Sequence, residues 1–167
     1  MTKLIKAVLL LAIFVGPFTR SFAQTEEPLY KKTNAFPVIN LLLPDSTYFT
    51  KGNLDKKSSV MVMLFNPQCE HCQHETEEII KNIEKFEGVQ ILMATSMPFD
   101  SMMNFRQRYD LAKYKNIVVS TDPNFTLISF YSIHSLPSLA FYNRKKEFMS
   151  LHEGGLPLEK VLKELDK

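Results

Sequence analysis

Two kinds of apolar spacing alternate along this chain. Residues 59–65 (SVMVMLF) form an unbroken apolar run of strand length, the mark of a strand buried on both faces. Residues 89–94 and 117–119 repeat the pattern more briefly. Between the first two runs, Ile79, Ile80, Ile83 and Phe86 fall on one helical face that extends to Phe86, with Gly88 as its stop. Between the second and third, Asp100 or Ser101 can cap a helix carrying Met102, Phe105 and Tyr109. Upstream, a first strand is predicted over residues 37–43, broken by Pro44-Asp45-Ser46, with a returning partner over 47–50 and a turn at Lys51-Gly52-Asn53. Downstream, Ser120-Thr121-Asp122-Pro123 closes the third run and a short helix covers 124–131. Residues 138–142 and 147–152 flank Asn143-Arg144-Lys145-Lys146 as an antiparallel hairpin. Gly154-Gly155 leads into a last helix over 158–165, with Leu158, Val161, Leu162 and Leu165 on one face.

The order strand–helix–strand–helix–strand–helix, then hairpin and helix, predicts an α/β fold. Its central sheet should be mixed, with parallel strands in the middle, an antiparallel hairpin at one edge and helices on the faces. No internal repeat or low-complexity segment interrupts it.

The first two dozen residues read as an address. Lys3 and Lys6 precede an apolar run over 7–15, then Gly16 and Pro17, with small residues two apart at Ser21 and Ala23. These are the three parts of a secretory signal peptide over 1–23, and the run is short for a helix spanning ~30 Å of hydrocarbon. An uncleaved N-terminal membrane tether is the alternative, helped by Phe18 and Phe22. Residues 24–36 read as a tether into a domain over 37–167. Export to the periplasm follows, a compartment where disulfides persist.

Composition adds limits. With 45% hydrophobic and 23% charged positions, five Gly and two Cys in 167 residues, the chain is globular and fits one domain. The net charge of +2 comes from the N-terminus: Lys3, Lys6 and Arg20 leave seventeen bases against eighteen acids in the remainder. No nucleic-acid partner is expected from so weak a field.

Chemistry is concentrated in Cys69-Glu70-His71-Cys72, which directly follows the buried strand and opens a helix. At a helix N-terminus, unpaired N–H groups and the macrodipole favour a thiolate on Cys69. Cys72, about one turn inside, is placed to attack a mixed disulfide formed by Cys69. A protonated His71 would stabilise that thiolate, while Glu70 would oppose it. Two other readings use the same cysteines. An inert disulfide across so short a loop removes little chain entropy. A metal site could draw on Cys69, His71, Cys72 and His74, although only the isolated His134 and His152 stand elsewhere as a second pair. Haem attachment needs His directly after the second Cys, where Gln73 stands.

These residues resemble the thioredoxin superfamily, specifically exported TlpA/ResA-like thiol–disulfide oxidoreductases. The matching segments are Phe65-Asn66-Pro67-Gln68-Cys69-Glu70-His71-Cys72-Gln73-His74-Glu75, then Ser120-Thr121-Asp122-Pro123, then Leu136-Pro137-Ser138-Leu139-Ala140-Phe141-Tyr142. The resemblance implies a thioredoxin-like fold and a cis Pro137 beside the cysteines, with Leu136 offering its backbone to a substrate strand. A trans proline on an edge strand is the plain alternative. Glu75 matches a glutamate that the family often carries three residues after the second Cys.

Three departures from the family pattern imply an altered potential or partner. Gln68 stands where the family has Trp, and Leu136 where Thr is usual. Residues 60–65 also lack the buried Asp of thioredoxin itself, so a proton acceptor must come from Glu70, His71, Glu75 or water. Peroxidase chemistry is disfavoured, because Asn66 and Val62 occupy the positions where peroxiredoxins carry Thr and Pro.

The expected activity is therefore disulfide exchange with protein thiols and disulfides, leaning to reduction or isomerisation. Cys69 is the nucleophile and Cys72 resolves; Glu70, His71 and Glu75 tune the pair, and Leu136 and Pro137 meet the substrate. No cofactor is required, because the Cys69–Cys72 dithiol carries the two electrons, and a soluble or membrane-bound redox partner recycles it. The chain is expected to act as a monomer. The alternative is a copper- or metal-binding module using the same cysteines, with Met97, Met102 and Met103 as soft ligands. A binding domain whose disulfide never turns over is the third reading.

Overall fold

The computed structural model describes residues 27–166. The signal segment expected over 1–23 lies outside the described residues. A short helix α1 (Leu29–Lys32) opens the described chain, followed by the hairpin β1 (Asn40–Leu42) and β2 (Tyr48–Thr50). Then come β3 (Ser59–Leu64), α2 (Glu70–Lys81), β4 (Val89–Thr95), α3 (Phe99–Arg108), β5 (Ile117–Thr121) and α4 (Thr126–Tyr131). A second hairpin, β6 (Ser138–Tyr142) and β7 (Phe148–Glu153), precedes α5 (Leu158–Leu165). Among the described residues no helix is long and apolar enough to cross a membrane.

The seven strands form one sheet in the order β2-β1-β5-β4-β3-β6-β7. The pairs β3–β4 and β4–β5 are parallel, and the flanking pairs are antiparallel, as a mixed sheet requires. The continuous apolar runs are explained by burial on both faces. In β3, Met61 and Met63 face a core closed by α2, α3 and α5 through Ile79, Met102, Phe105 and Val161. Their neighbours Val60, Val62 and Leu64 face a second core closed by Leu127 and Tyr131 of α4 and by Phe36 and Phe49. Side chains alternate across the sheet with period two, so the central strands are apolar at most positions.

Several boundaries differ from expectation for local reasons. The helix predicted to reach Phe86 stops at Lys81. Asn82 sends its amide Nδ2 back to the Glu78 carbonyl at 3.0 Å, and a 3-10 turn over Ile83–Phe86 carries Phe86 into the core. The cap of α3 is Pro98, not Asp100 or Ser101: its extended backbone (φ −50°, ψ 148°) presents a carbonyl that takes the N–H of Ser101 at 2.9 Å. The first strand begins at Asn40, later than the expected 37, since Pro37 has no N–H to give a ladder. The tether expected over 24–36 is, in its described part, packed on the domain. Tyr30 stacks near Phe148 and Phe36 near Tyr142, with ring centroids 5.4 and 4.7 Å apart, and Phe148 donates to the Asn34 carbonyl at 2.7 Å.

Candidate functional site

The site lies beyond the carboxyl end of β3, next to the parallel partner β4, where a sheet of this kind opens its crevice. After Leu64 the chain leaves the sheet through Asn66-Pro67-Gln68. Asn66 shapes that turn: its side-chain Oδ1 accepts the Gln68 N–H at 2.9 Å and its carbonyl accepts the Cys69 N–H at 3.0 Å. Gln73 then ties α2 back to the turn by donating to the Pro67 carbonyl at 2.9 Å.

Cys69 is the N-cap of α2 and is half-buried, whereas Cys72 is wholly buried and belongs to the core; both thiols are free. The Cys69 Sγ lies 3.8 Å from the Leu136 carbonyl, to which the thiol donates. The Asn66 N–H points at the Cys72 Sγ at 3.5 Å. Burial pushes the Cys72 thiol up to about 12, and the nearby Cys69 and Glu75 add to the effect against that single N–H. The two sulfurs are thus sharply unequal in access to solvent.

Glu75 sits one turn beyond Cys72 on the same face of α2 and is only 6% exposed. Burial raises its carboxyl above the ordinary range, while the Leu156 N–H, donated to Oε2 at 3.0 Å, and the charge of His74 pull it back. An opening of about 440 Å³ between α2 and the Gly155–Leu156–Pro157 segment exposes this neighbourhood, lined by His71, His74, Glu75 and Glu78. Glu70 and His71, between the cysteines, are exposed. Of the four candidate proton acceptors, Glu75 is the one side chain enclosed beside the buried thiol.

On the facing side, the Leu136–Pro137 peptide bond is cis. Pro137 is buried and Leu136 half-buried against Cys69. The loop before it is fastened by Glu153, whose Oε2 accepts the N–H groups of His134 and Ser135 at 2.7 and 2.8 Å. Burial works to raise the Glu153 carboxyl, but these donors and the His134 imidazole hold it below its ordinary value. Glu153, Leu156 and Asn66 are contacts that sequence reasoning missed. Their partners lie far along the chain or act through backbone groups, so no motif announces them.

Of the methionines considered as metal ligands, Met102 is buried in the core, Met103 packs against it, and Met97 faces a cleft beside Leu136. Among the described residues no group of three or more His, Cys, Asp or Glu side chains is placed to hold a metal ion. His134 lines the cleft that contains Cys69, and His152 lies 3.7 Å from Glu164, on the β7–α5 side.

No family model and no curated protein matches the chain. Solved structures do. The exposed lipoprotein thioredoxin of Streptococcus pneumoniae is 23% identical, with a TM-score of 0.59 over 78% of this chain and 98% of its own. A secreted disulfide oxidoreductase of Mycobacterium tuberculosis is 14% identical, with a TM-score of 0.64 over 77% of this chain and 94% of its own. A peroxiredoxin-like protein of Aquifex aeolicus reaches a TM-score of 0.64 at 10% identity, over 80% of this chain and 85% of its own. The fold shared by these structures is the thioredoxin-like fold, and this chain has it.

Proposed function

We propose that this thioredoxin-like chain is an exported thiol–disulfide oxidoreductase that exchanges disulfides with protein substrates, working as a reductant or isomerase. The observation that carries the reading is the inequality of its two thiols. Cys69 is open at a helix N-terminus against the Leu136 carbonyl, and Cys72 is buried one turn inside with its pKa pushed up to about 12.

In the reducing direction, the Cys69 thiolate attacks one sulfur of a substrate disulfide. That S–S bond breaks, the departing substrate thiolate takes a proton, and a mixed disulfide joins Cys69 to the substrate. Cys72 then gives up its proton and attacks the Cys69 sulfur, which expels the second substrate thiol. Two electrons and two protons pass from the dithiol to the substrate, leaving a Cys69–Cys72 disulfide for a redox partner to reduce. Cys72 must lose its proton for this step, and we assign its acceptance to Glu75, buried one turn further along α2. Leu136 offers backbone beside the reacting sulfur, and Pro137 holds it there.

The direction rests on the resemblance: Cys69-Glu70-His71-Cys72 followed by Glu75 resembles the reducing, TlpA/ResA-like class. The sequence over 1–23 supports export, and the secreted and exposed proteins of like fold are consistent with it.

Mixing the reduced chain with insulin, a substrate carrying protein disulfides, tests the reading. Alkylation and mass analysis should show two protein thiols lost for each substrate disulfide reduced, with an intramolecular bridge as product. Loss of one thiol per chain, or of none, contradicts it.

A further inference from the structure

Phe125 carries the feature of this molecule that the redox chemistry does not use. It precedes α4 with φ +54°, a left-handed conformation that a bulky aromatic residue rarely adopts, and its side chain is 53% exposed. The surrounding contacts impose that conformation. The Phe125 N–H donates to the Asp122 carbonyl at 3.3 Å, and its own carbonyl takes the Ser129 N–H at 3.0 Å. The buried Asp122 carboxylate accepts the Leu127 N–H at 2.8 Å. An apolar ring is thus held out of the core at a cost in backbone strain.

Phe125 lines a cleft that adjoins the one holding the reactive sulfur. One lobe, about 390 Å³, is lined by Cys69, Ile133, His134 and Ser135. A second lobe, about 150 Å³, is lined by Phe65, Ala94, Met97 and Phe125, with Thr95 and Ser96 beside them. Asn66, Ile128 and Leu136 border both, so the two adjoin at Leu136. The inner lobe has no charged lining residue and is mostly apolar. Its volume of about 150 Å³ suffices for a benzene-sized group.

We infer that Phe125 and this inner lobe form a specificity pocket for an apolar side chain next to the substrate's reacting cysteine. The inference rests on the disulfide-exchange reading, because that reaction fixes where the substrate must lie. A substrate sulfur bonded to Cys69 occupies the outer lobe, and the adjoining residue passes Leu136 into the inner one. The occupant is therefore a peptide segment in which a leucine- or phenylalanine-sized residue adjoins the cysteine; a charged neighbour would lose its hydration there without a partner.

Two peptides that differ only in Leu or Asp beside a cysteine, each joined to thionitrobenzoate as a mixed disulfide, test this. Release of the chromophore by the reduced chain should be about tenfold faster with the Leu peptide. In Phe125→Gly the ratio should fall towards one. Gly relieves the positive φ, so the thermal midpoint of that variant should hold or rise, separating loss of the pocket from loss of the fold. Equal rates for the two peptides in the natural chain, or an unchanged ratio in Phe125→Gly, overturn the pocket while leaving disulfide exchange intact. If neither peptide nor the free aromatic disulfide reacts, the exchange reading itself has failed.

Discussion

Cys69→Ser abolishes exchange, lowering the rate on the order of a thousandfold or more, whereas Cys72→Ser spares the first step and stops the second. The asymmetry follows from access. Cys69 is half-buried at the mouth of the cleft, and Cys72 is closed inside the core beneath it. A substrate disulfide can reach only the outer sulfur, so removing Cys69 leaves a thiol that nothing can approach. Removing Cys72 leaves an attacking group with no means of release, and the mixed disulfide with substrate should accumulate in stoichiometric amount. Non-reducing electrophoresis and intact-mass measurement read both outcomes. Equal loss in the two variants without a trapped adduct would show that the cysteines do not divide the work in this way.

Glu75→Gln produces the second large effect, in two observables of opposite sign. Gln keeps an oxygen for the Leu156 N–H but cannot accept a proton from Cys72. The resolving step should slow by roughly 10- to 100-fold, near the low end for loss of a general base, while the attack by Cys69 is slowed far less. Stability should move the other way. Burial in the folded chain raises the Glu75 carboxyl above its ordinary value of 4.5, so the protonated form contributes stability that is complete below that pH. That contribution is lost as pH rises through the folded value. Gln does not ionise, so Glu75→Gln should gain stability over the natural chain increasingly as pH climbs from about 4.5. Denaturant midpoints taken across that range, with stopped-flow traces of the two exchange phases, measure both. A variant less stable at pH 7, or one with a slowed first phase, contradicts this role for Glu75.

The sheet was legible because its signal is dense. A strand buried on both faces has few polar positions, and 59–65, 89–94 and 138–142 needed no tertiary information to be placed. The last helix was legible for a similar reason, its four apolar positions falling on one face over Leu158–Leu165. Boundaries set by single hydrogen bonds were not. Asn82 ends α2 through its own side chain, and Phe125 delays α4 because a carboxylate at Asp122 takes the Leu127 N–H. Nothing in residue type marks either choice in advance.

Within the site, the cysteines and the cis proline stood out through motif and resemblance, and the structure places them together. Glu75 was one of several acids near the motif. Helical spacing separates it from the rest: Cys72, Glu75, Thr76 and Ile79 share the buried face, while Glu70, His71 and His74 turn outwards. The contacts from Leu156 and Glu153 could not be read at all, since they join segments that only the folded sheet brings together.

The reduction potential of the Cys69/Cys72 pair decides whether this chain gives electrons to protein disulfides. Equilibrating the chain in graded dithiol buffers and alkylating the free thiols should give a single two-electron transition. The account predicts a midpoint below about −250 mV, towards the thioredoxin end of the scale. A midpoint above about −180 mV would make the chain an oxidant and contradict the reducing direction. A pair that stays in one state across every buffer would contradict disulfide exchange altogether.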